Sequence, residues 1–269
     1  MADIGRVGII GGSGWLGRAI AKALIGSGTV PAERLTCSFR SGRPDTGLGV
    51  SWTQDNQQLV ENSDVVILSV RPNDWSGIEI TASGKLVISV MAGITVDSIK
   101  RKTGCVRIAR ALPNAAAEVG HSCTPFFVAS SDPNDRAIVE VLFRSCGTID
   151  AVFREEYIDY LTAMTGSGEA FPALLAEAMM NDAIARGLPM EIARRAVQQL
   201  IIGAGRLQEY HRASPADTVK SFLDYDGTTS AGIVAMRKNG FESVIRSGLD
   251  AAFRKAQALA INQVGGRGR

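Results

Sequence analysis

The run Gly11-Gly12-Ser13-Gly14-Trp15-Leu16-Gly17 constrains the folding of this chain more than any other feature. It comes after four apolar residues, Val7–Ile10, and leads into a segment with helical spacing, Leu16–Ile25. Gly12, Gly14 and Gly17 thus form G-x-G-x-x-G between a first strand and a first helix. In that setting Gly12 permits a tight turn, Gly14 lets the backbone approach a pyrophosphate, and Gly17 lets the helix pack close to the strand. The amide-rich helix start then faces the phosphates, so Gly12, Ser13, Gly14, Trp15 and Leu16 are the expected contacts. A glycine turn without a ligand is the alternative reading of the motif alone.

The pattern of the first half favours the ligand. Apolar runs at Val7–Ile10, Leu35–Phe39, Val65–Val70, Leu86–Val90, Val106–Ala109 and Thr124–Val128 alternate with helical patterns such as Leu16–Ile25 and Asn56–Glu61. Strands separated by helices imply right-handed crossovers and a mainly parallel, doubly wound α/β sheet of the Rossmann kind. From about Glu155 the strand signal vanishes. Phe171, Leu174, Leu175, Ala178, Met179 and Asp182 fall at helical spacing, and Glu191–Tyr210 is a second long helical pattern. Arg186-Gly187-Leu188-Pro189 supplies a stop and a start between them, and Asn239-Gly240 punctuates two further helices ending near Ile261. The expected division is a dinucleotide-binding domain over 1–154 and an all-helical substrate and dimerisation domain over 155–269. The tail Gly265–Arg269 is expected to be disordered.

Composition narrows the function by exclusion. A net charge of +2 over 269 residues makes no electrostatic case for nucleic acid or a membrane surface. Two histidines and four scattered cysteines (Cys37, Cys105, Cys123, Cys146) give no metal-ligand spacing, so no metal is expected and the thiols read as reduced. The opening residues lack a secretory pattern and no apolar run reaches the length of a membrane span, so a cytoplasmic location is expected.

The second strand bears on the cofactor. An NAD enzyme usually ends it with an acid that binds the ribose diol. Here it ends Cys37-Ser38-Phe39-Arg40-Ser41, with no acid before Asp45. Arg40 is suited to pair with a 2′-phosphate, and Ser38 and Ser41 to donate to it, so NADPH is expected, with NADH possible. The alternative for Arg40 is a solvated loop arginine.

The reaction class is narrowed by missing groups. Tyr157 and Tyr210 have Leu161 and Ser214 four residues later, which excludes a Tyr-x-x-x-Lys acid. After Gly166-Ser167-Gly168 no lysine appears before Lys220, which argues against a hydroxyacid dehydrogenase. Ketone reduction needs a proton donor for the alkoxide, whereas a protonated imine is already electrophilic and yields a neutral amine. A site poor in His and Lys suits an imine.

Six segments, in order over roughly Val7–Ala260, carry a resemblance: Gly8–Gly17, Ser63–Asp74, Val87–Thr95, Arg107–Asn114, Thr162–Phe171 and Asp226–Ile233. With them the chain resembles the pyrroline-5-carboxylate reductase family. The resemblance implies NAD(P)H-dependent reduction of 1-pyrroline-5-carboxylate to L-proline and an obligate homodimer, often part of a larger ring. By matching position it implies cofactor contacts from Ser69, Val70, Arg71 and Pro72, an adenosine-side role for Asn56, and a nicotinamide lining of Met91, Ala92 and Gly93. Pro113 and Asn114 shape the floor. Thr229 matches the threonine that bonds the imine nitrogen, with Thr228 beside it. Without the resemblance, Met91–Gly93 reads as a buried strand end, Pro113-Asn114 as a turn and Thr229 as a helix N-cap.

The chain departs from the family where the substrate carboxylate binds. The family's Ser-Pro-Gly-Gly-Thr-Thr loop reads Asp224-Tyr225-Asp226-Gly227-Thr228-Thr229, and Glu169 replaces a proline in the turn after Gly168. Like charges 4 Å apart at an effective dielectric of about 20 repel by roughly 4 kcal/mol. By position in that loop the resemblance makes Asp224, Asp226 and Gly227 the expected substrate contacts, and Glu169 is a candidate to stabilise an iminium. If the acids face the pocket, the substrate is a carboxylate-free or cationic imine. If they cap helices or face water, the family substrate stands. A non-catalytic NADPH-sensing module is the remaining alternative.

Overall fold

The structure, a computed structural model, describes residues 4–264, with side chains through residue 259. The expectation of a disordered Gly265–Arg269 falls outside the described residues. The chain clusters into two compact units, residues 4–167 with 252–264, and Gly168–Ala251.

The first unit is built on an eight-stranded sheet. Its strands are β1 Val7–Ile10, β2 Leu35–Ser38, β3 Ser51–Thr53, β4 Val65–Leu68, β5 Leu86–Ser89, β6 Arg107–Ala111, β7 Ser122–Val128 and β8 Gly147–Ala151. They lie in the order β3-β2-β1-β4-β5-β6-β7-β8. All neighbours are parallel except β6 and β7, which are antiparallel. The central strands are apolar throughout because both faces of the sheet are covered. Alternate residues serve opposite cores: Val7, Ile9, Val65, Ile67, Leu86 and Ile88 join one, and Ile10, Val66, Leu68 and Val87 the other. Helices α1 (Trp15–Gly26) and α4 (Pro133–Arg144) cover the first face, and α2 (Asn56–Glu61) and α3 (Val96–Thr103) the second. Helix α5 (Glu156–Leu161) runs into a π-helical turn at Thr162–Gly166.

Two strands went unpredicted. β3 has three residues on one sheet edge, and β8 has only part-buried apolar positions on the other, so neither shows a sustained apolar run. The apolar-run reading also ended β4 two residues late, because Ser69 and Val70 belong to the loop above it.

The second unit contains α6 (Ala170–Ala185), α7 (Met190–His211), α8 (Pro215–Tyr225), α9 (Thr228–Lys238) and the start of α10 (Phe241–Val264). Gly187, at φ +90°, stops the α6 pattern and Pro189 caps α7, as the Arg186–Pro189 signals predict. Three helices come after α7 where two were expected: Ser214 caps the unforeseen α8 through Asp217, and Pro215 opens it. In α6 no residue is buried, and in α7 only Ala193 and Val197 are. Leu174, Met179, Leu200, Ile202 and Val234 are among the apolar side chains left exposed. No helix among the described residues is long and apolar enough to cross a membrane.

Candidate functional site

The sheet order reverses direction between β1 and β4, the switch point where a parallel sheet opens a crevice at its strand C-termini. The glycine turn stands there. Gly11, at φ +81°, makes the left-handed bend. This corrects the sequence reading, which gave the tight turn to Gly12. Gly12 instead allows close approach to β2: a Cβ there would lie 2.6 Å from the Cβ of Cys37. Gly17 keeps α1 against the turn, since its Cβ would lie 2.5 Å from the Gly11 carbonyl oxygen. The Gly11 N–H donates to Ser38 Oγ at 3.0 Å and the Ser13 N–H to the Ser38 carbonyl at 3.2 Å, so β2 braces the turn. The first intrahelical bond runs from Arg18 N–H to Gly14 O, leaving the Trp15 and Leu16 amides at the helix start. Burial pushes the Cys37 thiol beneath the turn up to about 12, so it stays protonated and unreactive.

Beside the turn opens a cleft of about 1000 Å³. Of the cofactor residues expected from sequence, it gathers Ser13, Gly14, Ser38, Arg40, Asn56, Ser69, Val70 and Arg71. The others lie outside its lining. Gly12 is buried beneath the turn, and Trp15 and Leu16 begin α1. Ser41 is exposed past Arg40, and Pro72 opens a short 3-10 helix, Pro72–Gly77. Met91 is buried with its N–H on Ser89 Oγ; Ala92 and then Gly93, at φ +71°, continue the loop. Asn114 caps the 3-10 helix Ala115–Val119 through Ala116 N–H and donates from Nδ2 to Thr165 O at 3.1 Å.

Sequence reasoning missed Phe39, Gln54 and Asp74 on the cleft wall. Gln54 Nε2 holds the Arg40 carbonyl at 3.0 Å, and Asp74 stands 3.6 Å from the Arg40 guanidinium. Neither has a local signal, because each meets Arg40 only across a loop.

The lining fits a dinucleotide. Ser69 Oγ is buried at the end of β4 with no hydrogen-bond partner, an arrangement that a polar ligand group would satisfy. No carboxylate ends β2, and the cations Arg40 and Arg71 face the same space.

In the second unit the three acids lie on or beside helices. Asp224 pairs with Lys220 at 2.5 Å along α8, both side chains exposed. Asp226 ends α8 in the left-handed conformation, at φ +51°. Glu169 precedes α6 without a side-chain capping bond. Gly227 occupies the cap of α9, so Thr228 and Thr229 are its first two residues and the N-cap reading of Thr229 does not hold.

Comparison with known proteins agrees with both halves. Residues 155–259 match the family model described as pyrroline-5-carboxylate reductase dimerisation. Residues 6–93 match that described as NADP oxidoreductase coenzyme F420-dependent. A pyrroline-5-carboxylate reductase of Synechocystis is 30% identical over 94% of this chain and 98% of its own. One from Arabidopsis thaliana is 29% identical over 96% of this chain and 97% of its own. The solved pyrroline-5-carboxylate reductase from Coxiella burnetii superposes with a TM-score of 0.86 at 29% identity, covering 96% of this chain and 99% of that one. Shared order, length and fold from the glycine turn to the last helix place this chain in the pyrroline-5-carboxylate reductase family.

Proposed function

We propose that the chain is an NADPH-dependent imine reductase that converts 1-pyrroline-5-carboxylate to L-proline. The observation that carries the reading is the cleft at the β1–β4 switch point, with its orphaned Ser69 hydroxyl, two arginines and no acid at the end of β2. When bound, the reduced dinucleotide supplies the hydride for the imine carbon, and the protonated nitrogen becomes the neutral ring amine. The chain's own part is to orient and to exclude water, because no buried acid is required once the imine carries its proton. The amides at the start of α1 hold phosphate, Ser69 Oγ donates to the same group, and Arg40 holds the 2′-phosphate. Thr228, Thr229 and Gly227 serve the imine, with Glu169 as the iminium's counter-charge.

Oxidation of NADPH in the presence of pyrroline-5-carboxylate, with proline as product, tests the activity. A strong preference for a carboxylate-free or cationic cyclic imine would transfer the substrate assignment to that class. NADPH binding without turnover of any imine would favour a sensing module. The Asp224–Lys220 pair supports the carboxylate substrate, since it engages one of the three new acids along its own helix.

Two variants probe the cofactor. Ser69→Ala removes a buried hydroxyl that has no partner, so melting temperature should hold or rise slightly while NADPH affinity falls several-fold, about 1 kcal/mol. Arg40→Ala should weaken NADPH by about tenfold and leave NADH nearly unchanged, the cost of one charged hydrogen-bond partner. Parallel titrations with the two dinucleotides check it. Equal losses would mean that Arg40 does not read the 2′-phosphate.

The proposal extends to assembly and organisation. Residues 1–154 hold the dinucleotide and 155–269 serve substrate and dimerisation. A homodimer formed through the exposed apolar residues of α6, α7 and α9 would cover the patches that one chain leaves open. Light scattering on the eluted protein gives the mass directly. The unpaired cysteines suit a cytoplasmic setting.

A further inference from the structure

An ion cluster around one buried arginine in the first unit ties together three segments at one end of the sheet. Arg110, on β6, is 1% exposed. Its Nη1 donates to Glu155 Oε1 at 2.9 Å and its Nη2 to Asp159 Oδ1 at 2.9 Å. The same Glu155 oxygen accepts the N–H of Val96, the first residue of α3, at 2.9 Å. Arg110 Nε is buried without a partner.

Two of its members border segments that the resemblance places at the site, the nicotinamide lining and the floor. Val96 opens α3, shortly after the Met91–Gly93 loop that follows β5. Arg110 precedes Pro113-Asn114 at the end of β6. Asp159 lies on α5, which continues into the π turn at Thr162–Gly166, and Thr165 of that turn accepts from Asn114. A π turn persists only where its surroundings hold it, and such turns concentrate at functional sites.

We propose that Arg110, Glu155 and Asp159 are positioning residues that lock the β5 loop, Asn114 and the π turn into one rigid edge for the nicotinamide end of the cofactor. The proposal rests on the dinucleotide reading of the cleft. None of the three residues lines that cleft, and its adenosine-side residues Ser38, Arg40 and Asn56 sit on β2, the loop after it and α2. An ion pair on a buried arginine is weak support for stability, since apolar side chains of similar volume do as well or better. The unpaired Nε adds a cost that stability alone does not explain.

The test separates the two ends of the ligand. Glu155→Gln keeps the shape and an acceptor oxygen but loses the charge, and Arg110→Lys keeps the charge but loses the planar fork. Dissociation constants are measured for NADPH and for 2′-phospho-ADP-ribose, which lacks the nicotinamide, together with kcat and KM. Both variants should lower kcat by ~10-fold or more, as misplacement of a reacting group does. The affinity advantage of NADPH over the fragment should shrink, with fragment binding unchanged. Equal weakening of both ligands, or unchanged kcat and unchanged affinities in a folded variant, overturns the proposal. Should Glu155→Gln fail to fold, Arg110→Lys carries the same readings. Wild-type protein that binds NADPH but reduces no imine defeats the activity reading alone, because the affinity ratio still reports positioning. Wild-type protein that binds neither ligand defeats the cleft reading, and this proposal with it.

Discussion

Replacing Gly12 by valine is expected to weaken NADPH binding about a hundredfold, equivalent to ~3 kcal/mol. The side chain would have to begin 2.6 Å from Cys37 Cβ and 3.2 Å from Cys37 Cα, and Cys37 is fully buried. Such overpacking forces the backbone to move, at a cost of about 1–3 kcal/mol in stability. The part that must move is the turn, because β2 is held between β1 and β3. Displacing the turn breaks its bonds to Ser38 and turns the first amides of α1 away from the phosphates. Gly26→Ala is the control: a Cβ there meets nothing within 4 Å, so affinity should be unchanged. Fluorescence titration with NADPH on both variants, with circular dichroism to establish folding, decides the matter. Wild-type affinity in a folded Gly12→Val protein would show that the turn does not seat the dinucleotide.

Gly147→Val should produce the largest loss of stability among the described glycines of the sheet, about 3 kcal/mol, or a melting temperature lower by ~10 °C. Gly147 has φ +145°, and a Cβ there would lie 2.2 Å from the Ser122 carbonyl oxygen and 2.6 Å from its nitrogen. Both contacts are with backbone, and Ser122 is paired with Gly147 at the start of the β7–β8 ladder. No rotamer change relieves them, so β8 must separate from β7 at that end. Thermal denaturation measured against Gly120→Ala, where φ is also positive but the space is open, isolates the steric part. Similar melting temperatures for the two variants would refute the close approach.

The contrast between these two glycines shows what can be read locally. Gly12 sits in a motif whose spacing announces a strand, a turn and a helix, so its importance is visible before any fold is known. Gly147 opens an edge strand with no apolar run, and its constraint comes from a backbone twenty-five residues away in sequence. Arg40 divides the same way. The missing acid after β2 is a property of the local string, whereas the Asp74 carboxylate facing Arg40 comes from the short 3-10 helix after β4. Asp224 and Asp226 were legible as departures from a family pattern. That Asp224 turns to Lys220 one helical turn back became clear only once α8 was placed.

Patterns with a short period, apolar runs for strands, three-to-four spacing for helices and glycine at a phosphate turn, are properties of neighbouring residues, so the chain alone specified the alternating α/β half and the helical half, while the reductase class came with the family resemblance. Tertiary structure decided which glycine bends the turn, which expected side chains share the cleft, and that Arg110 binds carboxylates at the cap and in the body of one helix. Those outcomes depend on distances between segments far apart in sequence, and only burial in a common core sets such distances.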